Sequence, residues 1–427
     1  MGCTGNNATP PSPAIAPGSE QIDPRRVAED LAARHGPGGA TSRLAELIPG
    51  FDAPFFQAGL AGYSDPAMRL IARDHGCPLC VTEALLDRTL LAGGRGFAKA
   101  DLGDIADNIP GGERDRPLVG QIMGSEPSEM AVAAIKMVEQ GERAAREYRA
   151  MVGAEPSDSA DPGEEAPSDR AGFASIDVNL ACPVKKISRK ARGGHWLAQP
   201  EGAIRILEAV REALPSSVNT SLKIRRSFDD GPEFAEAFDR ILDAAIEMGY
   251  AFATIHGRTV QQKYIGPSRW DLLRELVDRH RAAADRHGAA LFGSGDVWTA
   301  GDVFRMIEYT GVDAVSVARG CIGNPWVFRQ CRDLLAGLEL STPSVAEQRD
   351  VLERHFELAL SCNGWMRNPE KMTGKTMRKF GIRFAQHHPE GEQVRQRMIK
   401  VSSPEDWRAV LDDFYGDEHA ELGSTIH

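Results

Sequence analysis

The 427-residue chain has no run of about 18 apolar residues, and it does not open with a basic stretch followed by an apolar one. The first absence argues against a transmembrane helix, and the second argues against a secretory signal. Its seven cysteines are odd in number and scattered, which indicates reduced thiols rather than a disulfide framework. We therefore expect a cytoplasmic protein that does not interact with a membrane.

A metal site is also not expected. Cys77 and Cys80 have CxxC spacing, but no second CxxC motif or histidine pair accompanies them to complete a zinc site. The apolar residues that follow Cys77 are typical of a buried strand. The sequence therefore predicts no bound metal.

Positive charge is scarce over the whole chain, because 50 Lys and Arg stand against 61 Asp and Glu, a formal net charge of −11. This balance argues against a nucleic-acid partner, since phosphates attract Lys and Arg. The charge is unevenly distributed, however. Residues 150–169 hold six acidic residues and no basic one, whereas residues 367–400 hold nine basic and three acidic ones. We expect the first segment to be a disordered acidic insertion and the second to be a basic surface.

Short apolar runs alternate with amphipathic helical patterns from about residue 52. Near-continuous apolar strands separated by helices indicate parallel βαβ units covered on both faces. Eight repeats over this length predict an α/β fold, a (β/α)8 TIM barrel followed by a small all-helical C-terminal domain; a doubly wound sheet is the alternative. The expected division is a mostly disordered leader at 1–48 with one weak helical stretch at 27–34, the barrel at 49–340 and the helical domain at 341–427. The apolar runs lie at 53–58, 79–83, 117–122, 174–179, 220–224, 251–255, 290–293 and 314–318.

Polar side chains follow these runs where the strands end, and in a parallel barrel those ends form the active-site face. Gln121, Asn179, Lys223 and His256 are predicted to point into this mouth. Amides, an ammonium and an imidazole suit a flat heterocycle, and a lysine would place positive charge beside the N1–C2 region of a flavin. The glycine-rich ends of strands seven and eight, with Arg319 nearby, predict a phosphate site.

Cys182 lies just past the fourth strand and precedes Pro183, which fixes the local turn. Its position on the active-site face and its basic surroundings predict a nucleophilic or acid–base role. The basic residues that follow it are Lys185, Lys186, Arg189, Lys190 and Arg192.

A second basic group falls on a predicted C-terminal helix. Lys375, Lys379 and Arg383 are spaced by four residues and Arg378 lies three beyond Lys375, so these side chains would share one helix face. This face and the basic loop beside Cys182 favour contact with a phosphate backbone.

Seven stretches resemble motifs of the tRNA-dihydrouridine synthase family, and the resemblance covers about residues 53–415. It implies an FMN-dependent barrel whose helical domain helps to hold tRNA. The activity implied is reduction of the C5=C6 bond of uridine to 5,6-dihydrouridine, with NADPH supplying electrons through FMN and the target base leaving its stack. The stretches are AGLAGYSD (58–65), QIMGS (121–125), DVNLACPVKK (177–186), SLKIR (221–225), IHGRT (255–259), GSGDV (293–297) and ARGCIGNPW (318–326).

By this resemblance Cys182 is the general acid that protonates C5 of uridine. An ordinary thiol, with a pKa of about 8.5, carries its proton at neutral pH and suits that role. Asn179 and Arg258 are implied to bind the substrate, and the charge pattern adds Lys185, Lys186, Lys375 and Arg378. The cofactor-binding residues implied are Gly59, Leu60, Gln121, Lys223, His256, Gly295, Asp296, Ala318 and Arg319.

Two other functions remain as alternatives. One is an FMN barrel oxidoreductase acting on a free pyrimidine, similar to a dihydroorotate dehydrogenase. The other is an RNA-binding protein that has lost catalysis. The basic clusters disfavour the first, since a small substrate needs neither, and the presence of Cys182, Lys223 and His256 disfavours the second. No feature of the sequence indicates an oligomeric state.

Overall fold

The computed structural model describes residues 16, 18–91, 113–151, 172–184, 187, 192–363 and 368–416. Within these ranges nine strands pair in parallel, and eight of them close into a barrel, because β2 pairs with both β1 and β4. The two-residue strand β3 adds to β4. The predicted (β/α)8 barrel is confirmed. The strands are β1 (Phe55–Gln57), β2 (Cys80–Val81), β3 (Leu85–Leu86), β4 (Leu118–Met123), β5 (Ser175–Leu180), β6 (Thr220–Arg225), β7 (Phe252–His256), β8 (Ala290–Ser294) and β9 (Ala314–Val317).

Helices cover the outside of the barrel and start at recognisable capping residues. The Asp65 side chain accepts a hydrogen bond from the backbone N–H of Met68, and Thr299 forms a capping box with Asp302. Gly288 and Gly311 end two of these helices in the left-handed conformation that glycine adopts without strain. The barrel helices are α3 (Pro66–Asp74), α4 (Asp87–Leu91), α5 (Pro127–Met151), α6 (Pro200–Ala213), α7 (Pro232–Glu247), α8 (Trp270–His287), α9 (Ala300–Thr310) and α10 (Trp326–Leu335).

The segment before the barrel differs from the expectation of a mostly disordered leader. Helices α1 (Pro24–His35) and α2 (Ser42–Leu47) are formed. The weak helical stretch predicted at 27–34 lies within α1, and the expected disorder is contradicted for both helices. The reason is their apolar faces: Ala28 and Leu31 of α1 are buried where α1 packs on α9 and α10, and Leu44 of α2 is fully buried. Residues 1–15 lie outside the described residues.

Aromatic packing fills one end of the barrel. The rings of Phe51, Phe56, Phe252 and Phe292 contact one another, and Leu44 belongs to the same buried cluster. This apolar plug closes the end at which the strands begin, so the opposite end, where they finish, is the one available to a ligand.

Within the described residues, four α-helices follow the barrel, in the region expected to form the helical C-terminal domain. They are α11 (Val345–Cys362), α12 (Pro369–Phe384), α13 (Gly391–Met398) and α14 (Pro404–Phe414). Helix α11 packs on α3 of the barrel and on α12. The Nζ of Lys379 on α12 donates to the backbone oxygen of Gly62 in the loop after β1, and it lies 5.2 Å from the ring centre of Tyr63. The helical region is thereby fixed beside the open end of the barrel.

One predicted feature lies mostly outside the described residues. Residues 152–171 include most of the predicted acidic insertion, whose first two positions belong to the end of α5. Within the described ranges, no helix is both long and apolar enough to cross a membrane.

The Arg69 guanidinium forms a buried bidentate ion pair that joins α3 to the Glu113–Asp115 turn. Its Nε and Nη2 donate to the Asp115 carboxylate at distances down to 2.7 Å, and both side chains are 0% exposed. We predict that Arg69→Met lowers the free energy of unfolding by about 3–5 kcal/mol, because it removes the buried cation that is paired with the buried Asp115 carboxylate. Urea denaturation measures the change.

The control is Arg26→Ala, which breaks an ion pair with Asp30 whose side chains are 81% and 59% exposed. Its expected effect is below about 1 kcal/mol. Equal urea midpoints for Arg69→Met and the unsubstituted chain would contradict the role given to the buried pair.

Candidate active site

Cys182 lies at the open end of the barrel, two residues after β5, and its backbone is held on both sides. The Asn179 Oδ1 accepts hydrogen bonds from the N–H groups of Ala181 and Cys182, at 2.9 and 3.1 Å. The carbonyl oxygen of Cys182 accepts from the N–H of Gly194 at 3.0 Å. The thiol is therefore presented by a backbone with little freedom to move.

A chain of side chains runs from Asn179 to a buried carboxylate. The Asn179 Nδ2 donates to Gln121 Oε1 at 2.7 Å, and the Gln121 Nε2 donates to Asp177 Oδ2 at 2.8 Å. The other oxygen of Asp177 accepts from the Ser221 hydroxyl at 2.9 Å. Three neighbouring strands, β4, β5 and β6, are joined by this network beneath the mouth.

Asp177 and Lys223 form an electrostatic pair inside the barrel. Burial raises the pKa of Asp177 from its ordinary 3.8 to about 6, while the bonds from Gln121 and Ser221 and the charge of Lys223 oppose the rise. Burial also lowers the pKa of Lys223 to about 8, although the charge of Asp177 favours the ammonium form. At neutral pH the site therefore retains a lysine cation close to the wall of the pocket.

His256, at the end of β7, is a neutral imidazole in a cationic environment. Burial lowers its pKa well below 6.5, and the nearby charges of Arg225 and Lys223 lower it further. The Nδ1 accepts a hydrogen bond from the Arg258 backbone N–H at 3.1 Å. The proton of the neutral ring is therefore assigned to Nε2, which makes His256 a hydrogen-bond donor.

Asp296 holds two arginines together. Its carboxylate accepts from Arg258 Nη2 at 2.6 and 2.8 Å, from Arg319 Nη2 at 3.0 Å, and from the Ser268 N–H at 2.7 Å. Asp296 has a φ of 54°, a left-handed conformation that few residues other than glycine adopt. The Arg258 Nη1 is buried and has no hydrogen-bond partner among the described residues. Such an arrangement suits an anionic ligand that supplies the missing acceptor.

Arginine and aromatic side chains alternate along the rim. The Arg319 guanidinium lies 4.7 Å from the ring centre of Trp298 and 5.4 Å from that of Tyr264, and Arg225 lies 5.6 Å from the same Tyr264 ring. The Arg225 Nε also donates to the carbonyl of Ala181 at 2.9 Å, next to Cys182. These contacts fix the orientation of both cations.

Two glycines lie where a larger residue would clash. A Cβ at Gly295, whose φ is 114°, would be 2.3 Å from Ser268 Oγ, and a Cβ at Gly59 would be 2.3 Å from the Thr82 oxygen. Leu60 follows Gly59 and is half-buried, and Ala318 lies between the end of β9 and the Arg319–Cys321 turn. A pocket inside the barrel is lined by Phe56, Ala58, Gly59, Val81, Gln121, Asp177, Lys223, Phe252, Thr254 and Ser316.

The structure brings most of the predicted mouth residues together: Gln121, Asn179, Cys182, Lys223, His256, Arg258, Asp296 and Arg319 are joined by the contacts above. It does not bring Lys375 and Arg378 there, because they are exposed on α12 outside the barrel. Lys185 and Lys186 lie outside the described residues.

The prediction that Arg192 contributes to a basic phosphate-contacting loop is wrong. Its side chain is only 4% exposed, and its Nη2 donates to Asp87 at 2.7 Å. Lys379 also departs from the predicted open basic face, because its ammonium is engaged with Gly62 and Tyr63.

Two residues of the site, Asp177 and Arg225, lie in motifs noted above but were not singled out, and a third, Asp87, lies outside those motifs. Asp177 interrupts an apolar strand, which is a signal for a buried functional carboxylate. Arg225 lies two residues after Lys223 on β6, so the two side chains point to the same face of the sheet. Asp87 had no such signal, since its partners are distant in sequence.

The profile of the family described as dihydrouridine synthase matches residues 155–417. The chain belongs to the dihydrouridine synthase family. It is 28% identical over 362 residues to a probable tRNA-dihydrouridine synthase of Treponema pallidum, covering 84% of this chain and 92% of that one. It is 27% identical over 372 residues to tRNA-dihydrouridine synthase B of Xanthomonas campestris, covering 87% and 95%.

Among solved structures, histamine dehydrogenase from Rhizobium sp. 4-9 is similar with a TM-score of 0.41 and 11% identity, over 72% of this chain and 49% of that one. The residues of this chain that the structure describes contain no cluster of three or more His, Cys, Asp or Glu side chains able to hold a metal ion.

The raised pKa of Asp177 predicts how the free energy of unfolding changes with pH. The folded chain holds this proton more tightly than the unfolded chain does, so the contribution is fully present below about pH 4 and is lost as pH rises through about 6. We expect the stability of the unsubstituted chain relative to Asp177→Asn to fall by about 2 kcal/mol between about pH 4 and pH 7. Urea denaturation across this range provides the measurement.

The matched variant is Asp278→Asn on α8, whose carboxylate is 71% exposed and 3.9 Å from Arg274. Its stability difference should change little over the same pH range, because solvent screens the pair. A pH-independent difference for Asp177→Asn would show that its proton affinity is the same in both states.

Proposed function

We propose that this chain reduces the C5=C6 bond of uridine in tRNA to 5,6-dihydrouridine in the cytoplasm, with FMN as cofactor and NADPH as electron donor. Membership of the dihydrouridine synthase family supports the reaction, and the printed names of its relatives support tRNA as the substrate. The observation that carries the proposal is the position of Cys182, held at the mouth of a cation-lined barrel.

The residues present fit FMN. The unpartnered Arg258 Nη1, with Arg319 and the glycine at position 295, suits a phosphate. The unpartnered Ser316 hydroxyl lines the pocket together with Lys223 and Gln121, which suits a polar planar ring. We assign FMN binding to Arg258 together with the set expected from the sequence: Gly59, Leu60, Gln121, Lys223, His256, Gly295, Asp296, Ala318 and Arg319. When bound, FMN supplies the hydride for uridine C6, and NADPH restores it.

Asp296 has a positioning role in this assignment. A carboxylate repels a phosphate, so Asp296 acts by orienting Arg258 and Arg319 rather than by contacting the anion. Arg258 was expected to bind the substrate uridine. We instead assign it to the phosphate-binding group, because it is paired with Asp296.

Cys182 completes the reduction by giving its Sγ proton to uridine C5 as the hydride reaches C6. The C5=C6 double bond becomes a single bond, and the thiolate regains a proton from solvent. Arg225 bonds to the adjacent carbonyl and lies close enough to interact electrostatically with Cys182, so its charge stabilises the thiolate. Asn179 keeps the thiol at the mouth through the two backbone amides that it binds.

The exposed side chains of Lys375 and Arg378, with Lys371 one turn earlier on α12, favour a polynucleotide over a free pyrimidine. None of the three forms an ion pair with another described residue, so each can meet a phosphate. Helix α12 reaches the barrel mouth at its other end, because Arg383 packs on Gly323 and interacts electrostatically with Arg319. A tRNA backbone on this helix would therefore lie beside the entrance to the pocket.

We predict that Cys182→Ala loses dihydrouridine formation by about a hundredfold or more while retaining FMN, because a general acid contributes 10² to 10⁴ in rate. Mass spectrometry of tRNA nucleosides measures the product, and flavin absorbance measures the cofactor. Cys362→Ala, at the end of α11, is the control and should keep both. Loss of flavin in Cys182→Ala, or undiminished product, would contradict the assigned role.

We predict that Lys375→Glu combined with Arg378→Glu weakens tRNA binding and lowers the magnitude of its salt slope by about 2, one for each lost phosphate contact. Filter binding at several salt concentrations gives both quantities. Arg274→Glu with Arg286→Glu on α8 makes the same charge change elsewhere. Equal weakening by the α8 pair would attribute the effect to net charge and not to this surface.

A further inference from the structure

An ion pair buried behind the Cys182 loop has no role in the chemistry described above. The Arg192 Nη2 donates to Asp87 Oδ1 at 2.7 Å, and the two side chains are 4% and 0% exposed. Asp87 is the first residue of α4, which follows the short strand β3. The pair therefore links the return of the Cys182 loop to a neighbouring sector of the barrel.

Asp87 is itself fastened to the end of β4. Its Oδ2 accepts from the Ser125 N–H at 3.1 Å, and a Cβ added at Gly124 would be 2.3 Å from the same oxygen. The Trp196 Nε1 donates to the Gly124 carbonyl at 3.3 Å. The residues after Arg192 are thus anchored to the β4 end at a second point.

Arg192 is one residue from the backbone that packs on the thiol-bearing side chain. A Cβ at Gly193, whose φ is 56°, would be 2.8 Å from Cys182 Cβ and 3.1 Å from the Cys182 oxygen. Gly194 then donates its N–H to that oxygen. A shift of Arg192 would therefore move Gly193 and Gly194, and with them the backbone that contacts Cys182.

We propose that Arg192 and Asp87 form a positioning pair that sets the location of the Cys182 side chain by holding Gly193 against it. This inference rests on the proposed function for the purpose that it gives the thiol. A buried ion pair fixes geometry more sharply than apolar packing, since its hydrogen bonds need a defined direction. The pair stabilises one position of a loop that must deliver a proton to a single carbon atom.

The test separates the two half-reactions of the FMN-loaded protein. In Arg192→Met, reduction of bound flavin by NADPH should be unchanged, because it does not use Cys182. Reoxidation of the reduced flavin by an unmodified tRNA transcript should slow by about ten- to a hundredfold, because small misplacement of a reacting group has a cost of that order. Stopped-flow flavin absorbance measures both rates, and KM for tRNA should not change.

Further variants test whether the slower reoxidation results from displacement of Cys182. Arg192→Lys keeps the charge and should recover most of the reoxidation rate. In a Cys182→Ala background, Arg192→Met should change the residual rate less than about twofold, since coupled residues are not additive. The matched control is Arg281→Met, which breaks an ion pair with Asp313. Asp313 directly precedes the start of β9, at the end of the barrel away from the mouth, so this variant should slow neither half-reaction selectively.

Alkylation of Cys182 by iodoacetamide, followed by peptide mass spectrometry, reads its position without any tRNA reaction. Arg192→Met should raise the alkylation rate severalfold, because Gly193 no longer covers Cβ. An unchanged alkylation rate, equal slowing of both half-reactions, or full additivity with Cys182→Ala would overturn the proposal. If the unsubstituted protein reduced no tRNA, the proposed function would fail while alkylation still decided whether the pair positions the thiol.

Discussion

The buried carboxylate of Asp177 is the group on which the candidate active site depends. It accepts hydrogen bonds from Gln121 and Ser221, and Gln121 in turn orients Asn179, whose amide oxygen holds the backbone at Cys182. The same carboxylate favours the charged form of Lys223 against the cost of burial. One acidic residue inside a barrel thus links the placement of a thiol to the charge of the pocket, across three strands.

Charge in this protein is organised by location rather than by amount. The net charge of −11 describes the whole chain, whereas the mouth of the barrel gathers Lys223, Arg225, Arg258 and Arg319 around a neutral His256. Helix α12 extends this positive region outward through Lys375 and Arg378. An anionic polymer bound near the mouth is attracted by these positive charges. The repulsion from acidic residues farther away than about 10 Å is largely screened by salt.

The sequence predicts the barrel well, because apolar runs such as 174–179 and 220–224 match β5 and β6 to within a residue or two. It also identifies the strand-end residues, since parallel topology forces them to one face. It predicts only a weak helical stretch at 27–34 and not the full N-terminal helices, because their short apolar faces are buried only in the folded chain: α1 packs on α9 and α10, and Leu44 of α2 joins the aromatic cluster at the barrel end. Nor does it reveal that Arg192 is buried, because its partner Asp87 is 105 positions away and a basic residue beside basic neighbours suggests solvent.

Asp296 has a further consequence for how tightly an anion can be held. Two guanidinium groups brought together would normally repel each other and move among many rotamers. Here one carboxylate, set in a left-handed backbone conformation, restrains both before any ligand arrives. The rotamer entropy of the arginines is therefore lost during folding and not during association, so the site is preorganised. Affinity for an anion should consequently depend on local order at the end of β8 as much as on the number of positive charges.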